Sequence, residues 1–242
     1  MRSVDVVSIY RKHDNFRRYS IADHKRVNDL NRLYMANKKF FGRRVLDLAC
    51  GAGVLGFVLS KHGHDYLGID KNPDMIKLAT IVIEESNSEK IRFTLGDIRR
   101  SRIRGKFDTV TLLGNAVIHF DTSDLLLILK NVSRNLVSGR SHFIVDYRDL
   151  VSMLYTGDWN PRETYNESNK ITGKVIGSKC IGIDPISGNI KLRSLVDGHK
   201  NLVFTHAIWS PFIIQPIMES NGFELAKRRR TSQGWLDVYR SV

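Results

Sequence analysis

The segment at residues 44–56, RVLDLACGAGVLG, constrains this chain more than any other. An apolar run with strand character passes into G-x-G-x-x-G at Gly51, Gly53 and Gly56, and helix-forming residues follow. A strand that feeds a helix through such a loop implies a wound α/β sheet, with the strand buried on both faces. Glycine at 51 and 53 permits positive φ and lets a ligand press against the backbone. The helix opening near Val54 adds unpaired N–H groups and the positive end of its dipole. The motif alone suits a dinucleotide pyrophosphate as well as other nucleotides.

The flanking periodicity extends this reading. Val27, Leu30, Leu33 and Tyr34 recur at helical spacing within residues 1–41. Strands are expected over 43–49, 65–70, 91–97, 107–115 and 140–147. Helices are expected over 54–62, over 72–85 with Pro73 near its start, and over 122–139. Thr122 or Ser123 would cap the last of these, with Gly139 as its C′ residue. Residues 148–170 read as a loop, and β-rich stretches follow at 171–184, 189–198 and 201–209, separated by turn material at 185–189 and 197–200. A helix from Ser210 carries Pro216, which should kink or shift it, and two strands around 232–234 end the chain.

Three carboxylates narrow the choice of nucleotide. Asp47 lies inside the first strand, four residues before Gly51, where it would repel pyrophosphate and suit an ammonium. Asp70 ends the second strand, where a carboxylate can accept from both ribose hydroxyls. Asp97 follows the third strand and can take a hydrogen bond from an adenine amino group, with Ile98 packing on the ring. An ammonium, a ribose and an adenine without phosphate describe S-adenosylmethionine.

With VLDLACGAG, GID followed by NPDMI, LGDIR and FDTVTLLGN in that order, the chain resembles a class I methyltransferase, well over 43–147 and more loosely beyond. The resemblance implies a Rossmann-like seven-stranded α/β sheet with helices on both faces and an antiparallel β insert after the fifth strand. It implies that Asp70 and Asp97 hold ribose and adenine. Gly51, Gly53 and the backbone at Leu113 would line the methionine moiety, and Met75 would pack on adenine. Ala49 and Lys71 complete the expected donor contacts. The expected organisation is an N-terminal helical segment and cofactor lid at 1–42, a donor-binding core at 43–147, an insert over the substrate site at 148–209, and a return to the core at 210–242.

The acceptor side is read from the fourth and fifth strands. LLGNAVIHF has neither the Asp/Asn-Pro-Pro-aromatic signature of adenine N-methyltransferases nor the cysteine nucleophile of base C5-methyltransferases. Gly114–Asn115, His119 and a fifth strand ending Asp146–Tyr147–Arg148 resemble glycine N-methyltransferase and its small-molecule relatives. That resemblance implies that Asn115 and Arg148 grip an acceptor carboxylate, with His119 a further catalytic candidate. A guanidinium fork and an amide donor suit that task. In the N-terminal region Arg26 (or Lys25) would hold the donor's carboxylate and Tyr19 would lie near its sulfonium, with Tyr165 of the insert as another tyrosine.

Composition excludes some classes and leaves others. No apolar run approaches the roughly 18 residues of a bilayer span, and the N-terminus lacks the pattern of a secretory signal, so a cytoplasmic protein with no membrane partner is expected. Cys50 and Cys180 suggest neither a disulfide framework nor a metal site, and the transfer needs no metal. The 38 Lys and Arg residues against 25 Asp and Glu give a net charge of +13, clustered in YRKHDNFRRY, DIRRSRIRGK and AKRRRTS. The expected function is methyl transfer from S-adenosylmethionine to a small amine such as an amino acid, leaving S-adenosylhomocysteine. The basic surface keeps an RNA or other macromolecular acceptor as the alternative. A donor-binding protein without turnover is a third class.

Overall fold

Val45 and Leu46 are both fully buried, yet they pack into opposite halves of the core, as successive residues of a doubly covered strand must. The structure, a computed structural model, describes residues 21–137, 139–157, 164–168, 175–195, 202–231 and 234–242. For 164–168 and 175–177 only the backbone path is described.

The central sheet contains β1 (Arg44–Leu48), β2 (Asp65–Asp70), β3 (Ile91–Leu95), β4 (Thr109–Leu112), β5 (His142–Arg148), β10 (Phe223–Arg230) and β11 (Gly234–Ser241). Its order is β10-β11-β5-β4-β1-β2-β3. β1 to β5 are mutually parallel, whereas β11 runs antiparallel to both β5 and β10. On one face lie α1 (His24–Asn37), α2 (Val54–Ser60) and α3 (Pro73–Ser86), burying Tyr34, Leu59 and Val82 with Val45 and Ile144. On the other lie α4 (Thr122–Ser133) and α6 (Pro211–Glu219), burying Ile128, Val132, Ile214 and Met218 with Leu46, Phe143 and Val145.

Between β5 and α6 the chain forms α5 (Leu150–Thr156) and a second, antiparallel sheet of β6 (Thr164–Ser168), β7 (Val175–Ile183), β8 (Asn189–Ser194) and β9 (Val203–Ala207). The seven-stranded sheet and the antiparallel insert after β5 match the fold class expected from the sequence. The expected turn at 197–200 lies outside the described residues.

Several local expectations are corrected. Residues 148–170 are not all loop: α5 and β6 form there, and α5 has an Asp149 cap that accepts from Ser152 N at 3.1 Å and a Gly157 terminus at φ +76°. Asp121, not Thr122 or Ser123, caps α4, accepting from Asp124 N at 2.9 Å. That helix ends at Ser133 rather than running to Gly139, because Leu136 departs to bridge Phe107 beside the sheet. α6 runs through Pro216, and Ser210 makes no side-chain capping bond.

Two polar ties hold the far side of the sheet. Asp237, fully buried on β11, accepts from Tyr147 Oη at 2.8 Å, Tyr239 Oη at 3.0 Å and the Arg228 guanidinium at 2.7 and 2.8 Å. Trp209, just past β9, donates Nε1 to the carbonyls of Val117 at 2.9 Å and Phe120 at 3.2 Å. It thereby fastens the insert to the 3₁₀ turn Ala116–His119 that follows β4. Among the described residues no helix is long and apolar enough to cross a membrane.

Candidate functional site

The carboxyl ends of β1, β2 and β4 converge on the glycine loop, the edge at which open α/β sheets take ligands. The chain leaves β1 with positive φ at Ala49, Gly51 and Gly53. Asp70 holds this loop down: its Oδ2 accepts from Gly51 N and its Oδ1 from Asn72 N, both at 2.9 Å. A Cβ built on Gly51 meets nothing within 4 Å, so the loop presents bare backbone to open space.

Asp47 sits beneath the loop, almost wholly buried. Its carboxylate accepts from Tyr66 Oη and Thr111 Oγ1, each at 2.6 Å. Burial pushes it up to about 6, against the pull of those hydroxyls and of the Arg26 charge. Asp146, at the end of β5, is also pushed up to about 6 by desolvation, while the backbone N–H of Asn115 and the Arg26 charge oppose the rise. Arg26 reaches from α1 toward both carboxylates, its Nη2 lying 3.2 Å from a Cβ built on Gly114. Lys25 instead pairs with Asp29 on the exposed flank of α1, at 2.8 Å. Of the two, Arg26 is therefore the one that faces the site. Tyr19 and the Tyr165 side chain lie outside the described residues.

Farther along the edge, Asp97 is gripped by Arg99, whose Nε lies 2.9 Å from Oδ1 and whose Nη2 lies 2.5 Å from Oδ2. That hydrogen bonding holds the Asp97 carboxyl below the usual range. The same guanidinium reaches Asp124 at the start of α4 at 3.0 Å. Ile98 and Met75 are buried, Leu113 is half-buried, and Lys71 is exposed within electrostatic reach of Asp97. Asn72 is a residue the sequence reading passed over. Its Oδ1 caps α3 by accepting from Asp74 N at 2.8 Å, while its buried Nδ2 has no hydrogen-bond partner among the described residues. The N-cap position before Pro73 was the available signal, and it explains only the oxygen.

Open backbone above Gly51, carboxylates at and just past the ends of β2 and β3, and an orphaned amide donor beside Asp70 offer polar partners of the kind an adenosyl group needs. These residues fit S-adenosylmethionine.

At the ends of β4 and β5, Asn115 ties two strands together. It sits at φ +59°, donates its N–H to Asp146 Oδ1 at 2.8 Å, and accepts at Oδ1 from Arg148 N at 3.0 Å. The turn after β4 and the end of β5 thus form one unit that carries both the amide and the guanidinium. His119 is exposed at the end of the 3₁₀ turn, its ring centroid 5.3 Å from that of His206 on β9. Nothing in the β-rich sequence around His206 marked it as a site residue.

Members of two basic clusters are engaged within the fold. Arg99 binds two aspartates, Lys106 donates to the carbonyls of Arg134 and Leu136, Arg228 binds Asp237, and Arg230 lies over Trp235. The first cluster falls outside the described residues.

A family model described as methyltransferase domain matches residues 40–222. Glycine N-methyltransferase of Homo sapiens is 30% identical over 158 residues, which cover 57% of this chain and 52% of that protein. The chain thus spans about half the length of that relative. Among solved structures, the PH0226 protein of Pyrococcus horikoshii superposes with a TM-score of 0.74 at 22% identity, covering 96% of this chain and 99% of that one. An S-adenosylmethionine-dependent methyltransferase of Clostridium acetobutylicum superposes with a TM-score of 0.69 at 17% identity, covering 96% and 98%. With the sheet order, the glycine loop and the family match in agreement, the chain belongs to the methyltransferase domain family.

Proposed function

We propose that the chain methylates a small amine that carries a carboxylate, an amino acid of the glycine type. The observation that carries this reading is the Asn115 bridge. By accepting from Arg148 N at 3.0 Å and donating its own N–H to Asp146 at 2.8 Å, it ties the turn after β4 to the end of β5, so that neighbouring positions on the sheet edge carry an amide and a guanidinium. With Oδ1 committed to the backbone, the Asn115 Nδ2 group is oriented, and a fork of donors beside it suits a carboxylate. The human relative, a glycine N-methyltransferase, acts on such an acceptor, which supports the same reading here.

S-adenosylmethionine, when bound, supplies a methyl group on a sulfonium for in-line displacement. On this reading Asp70 accepts from the ribose hydroxyls and Asp97 from the adenine amino group, with Ile98 and Met75 as the apolar walls. Arg26 holds the donor's carboxylate, and Asp47 supplies negative charge beneath its ammonium. Asn115 and Arg148 anchor the acceptor so that its amine is turned toward the methyl, and the insert excludes water. Such positioning can supply most of the rate enhancement when no covalent intermediate is needed.

Production of S-adenosylhomocysteine from glycine, with and without Arg148→Ala, tests the reading. Removing one partner of a buried charge pair costs about 2–5 kcal/mol, a loss of about 30-fold or more in kcat/KM. Unchanged transfer to glycine in that variant would take Arg148 out of this role.

A further inference from the structure

His206 is the one histidine that the insert brings against the sheet edge among the described residues, and the proposed reaction leaves it without a role. It lies on β9, the edge strand of the second sheet, opposite Ile190 of β8. Its ring meets His119 edge-on at 5.3 Å and Phe204 at 5.1 Å. Arg148, at the end of β5, is close enough for its charge to act on the imidazole. Three elements distant in sequence therefore bring His119, Arg148 and His206 to one place beside the Asn115 turn.

The placement is held rigidly. Trp209, three residues after His206, is fully buried and donates to two carbonyls of the segment that carries His119. A site side chain supported in this way keeps its geometry without help from a ligand. Burial, then the neighbouring His119 and Arg148, push the His206 imidazole down to about 3, so at neutral pH it carries no charge and keeps one nitrogen as an acceptor. An uncharged acceptor beside a guanidinium discriminates between the two ends of an amino acid: the carboxylate is drawn to Arg148, and an N–H finds the imidazole.

We propose that His206 lines the acceptor chamber and accepts a hydrogen bond from the N–H of the methyl acceptor. The role deepens the amine-acceptor reading and rests on it. In the balanced step, the nitrogen lone pair forms the N–C bond while the S–C bond breaks and its electron pair stays on sulfur. The nitrogen's extra proton leaves to solvent, and His206 orients the nitrogen without taking that proton.

The test compares His206→Phe, which keeps the ring and removes the nitrogens, with His206→Gln, which restores an acceptor. Calorimetry with S-adenosylhomocysteine first establishes that each variant folds and binds. For glycine, His206→Phe should lower kcat/KM by about tenfold, the scale of one lost hydrogen bond, with His206→Gln recovering much of it and product affinity unchanged. Wild-type kcat/KM in His206→Phe, or a parallel loss of product affinity, would overturn the proposal. A wild-type enzyme that methylates neither glycine nor sarcosine would overturn the acceptor reading, and the His206 ring proton signal then decides. S-adenosylmethionine and S-adenosylhomocysteine differ by one methyl and one charge at sulfur. A ring signal that differs between proteins loaded with each supports the placement, and identical signals refute it.

Discussion

Alanine at position 51 separates the cost of bending the chain from the cost of filling the ligand's space. Gly51 has φ +55°, a conformation that costs an L-residue about 1–2 kcal/mol. Because a Cβ there meets nothing within 4 Å, no steric cost adds to that figure in the ligand-free protein. The expected fall in Tm is about 2–8 °C for a chain of this size. The same methyl would project into the open space beside Asp70. If the donor's methionine moiety rests on this backbone, overpacking should cost about 1–3 kcal/mol, weakening S-adenosylhomocysteine by about 5- to 150-fold in calorimetry.

Gly63 supplies the control. It lies in the turn between α2 and β2 at φ +77°, and its Cβ likewise meets nothing within 4 Å. Gly63→Ala should therefore lower Tm to a similar degree and leave product affinity unchanged. Wild-type affinity in Gly51→Ala would show that the donor does not lie on this loop. Equal losses of affinity in both variants would show that the effect travels through stability, and the site reading would fail.

Other consequences follow from the buried charges and the insert's anchor. Asp237→Ala leaves the Arg228 guanidinium without its carboxylate and should cost about 3–5 kcal/mol, read as a lower midpoint in urea unfolding. Asp47 is raised to about 6 by burial, so the native state binds a proton more readily than the unfolded chain, and this group's effect on stability becomes more favourable as pH falls from about 7 toward 4. Donor affinity should move the other way, falling about tenfold between pH 7 and pH 5 as the carboxylate that faces the ammonium is neutralised; Asp47→Asn should flatten both trends in thermal melts and calorimetry. Trp209→Phe removes the donor to the Val117 and Phe120 carbonyls and should raise KM for glycine with little change in product affinity. With Arg99, Lys106 and Arg228 engaged internally, RNA binding followed by fluorescence anisotropy should be weak at moderate salt, and a steep dependence of log affinity on log salt would contradict this.

The sheet was legible because its strands are apolar runs whose acidic ends fall at set places: Asp47, Asp70 and Asp97 mark β1, β2 and β3 without any knowledge of packing. α5 was not legible, because its apolar positions Leu150, Met153 and Leu154 span a single turn and none of its residues is buried. Its Asp149 cap and Gly157 terminus were the other local signals. Asp121, Thr122 and Ser123 can all cap a helix, and the backbone angles that select Asp121 are not written in composition. The end of α4 was misplaced because Leu136 keeps the apolar rhythm yet serves the sheet, through its bridge to Phe107. Arg99 lies within LGDIR, but its second partner, Asp124, is brought in by α4 from a distance and is not written in that motif.

The two halves of the site differ for the same reason. The proposed donor half is assembled from residues at the ends of adjacent strands, so chain order and spatial order agree. The proposed acceptor half requires β5 to deliver Arg148, the β4 turn to deliver Asn115 and His119, and an inserted sheet to return His206 to them. Charge follows that division, with Asp47, Asp70 and Asp97 under the first three strands and a guanidinium beside uncharged His206 near the fifth. Carboxylates under the proposed donor and a guanidinium on the proposed acceptor side favour a cationic donor lying next to an acceptor whose far end is anionic. Reversing the acceptor-side charge with Arg148→Glu should therefore do more than abolish glycine transfer. It should leave product affinity near wild type while excluding carboxylates and improving relative turnover of amines without one, and loss of both acceptor classes together would show that the polarity does not govern choice.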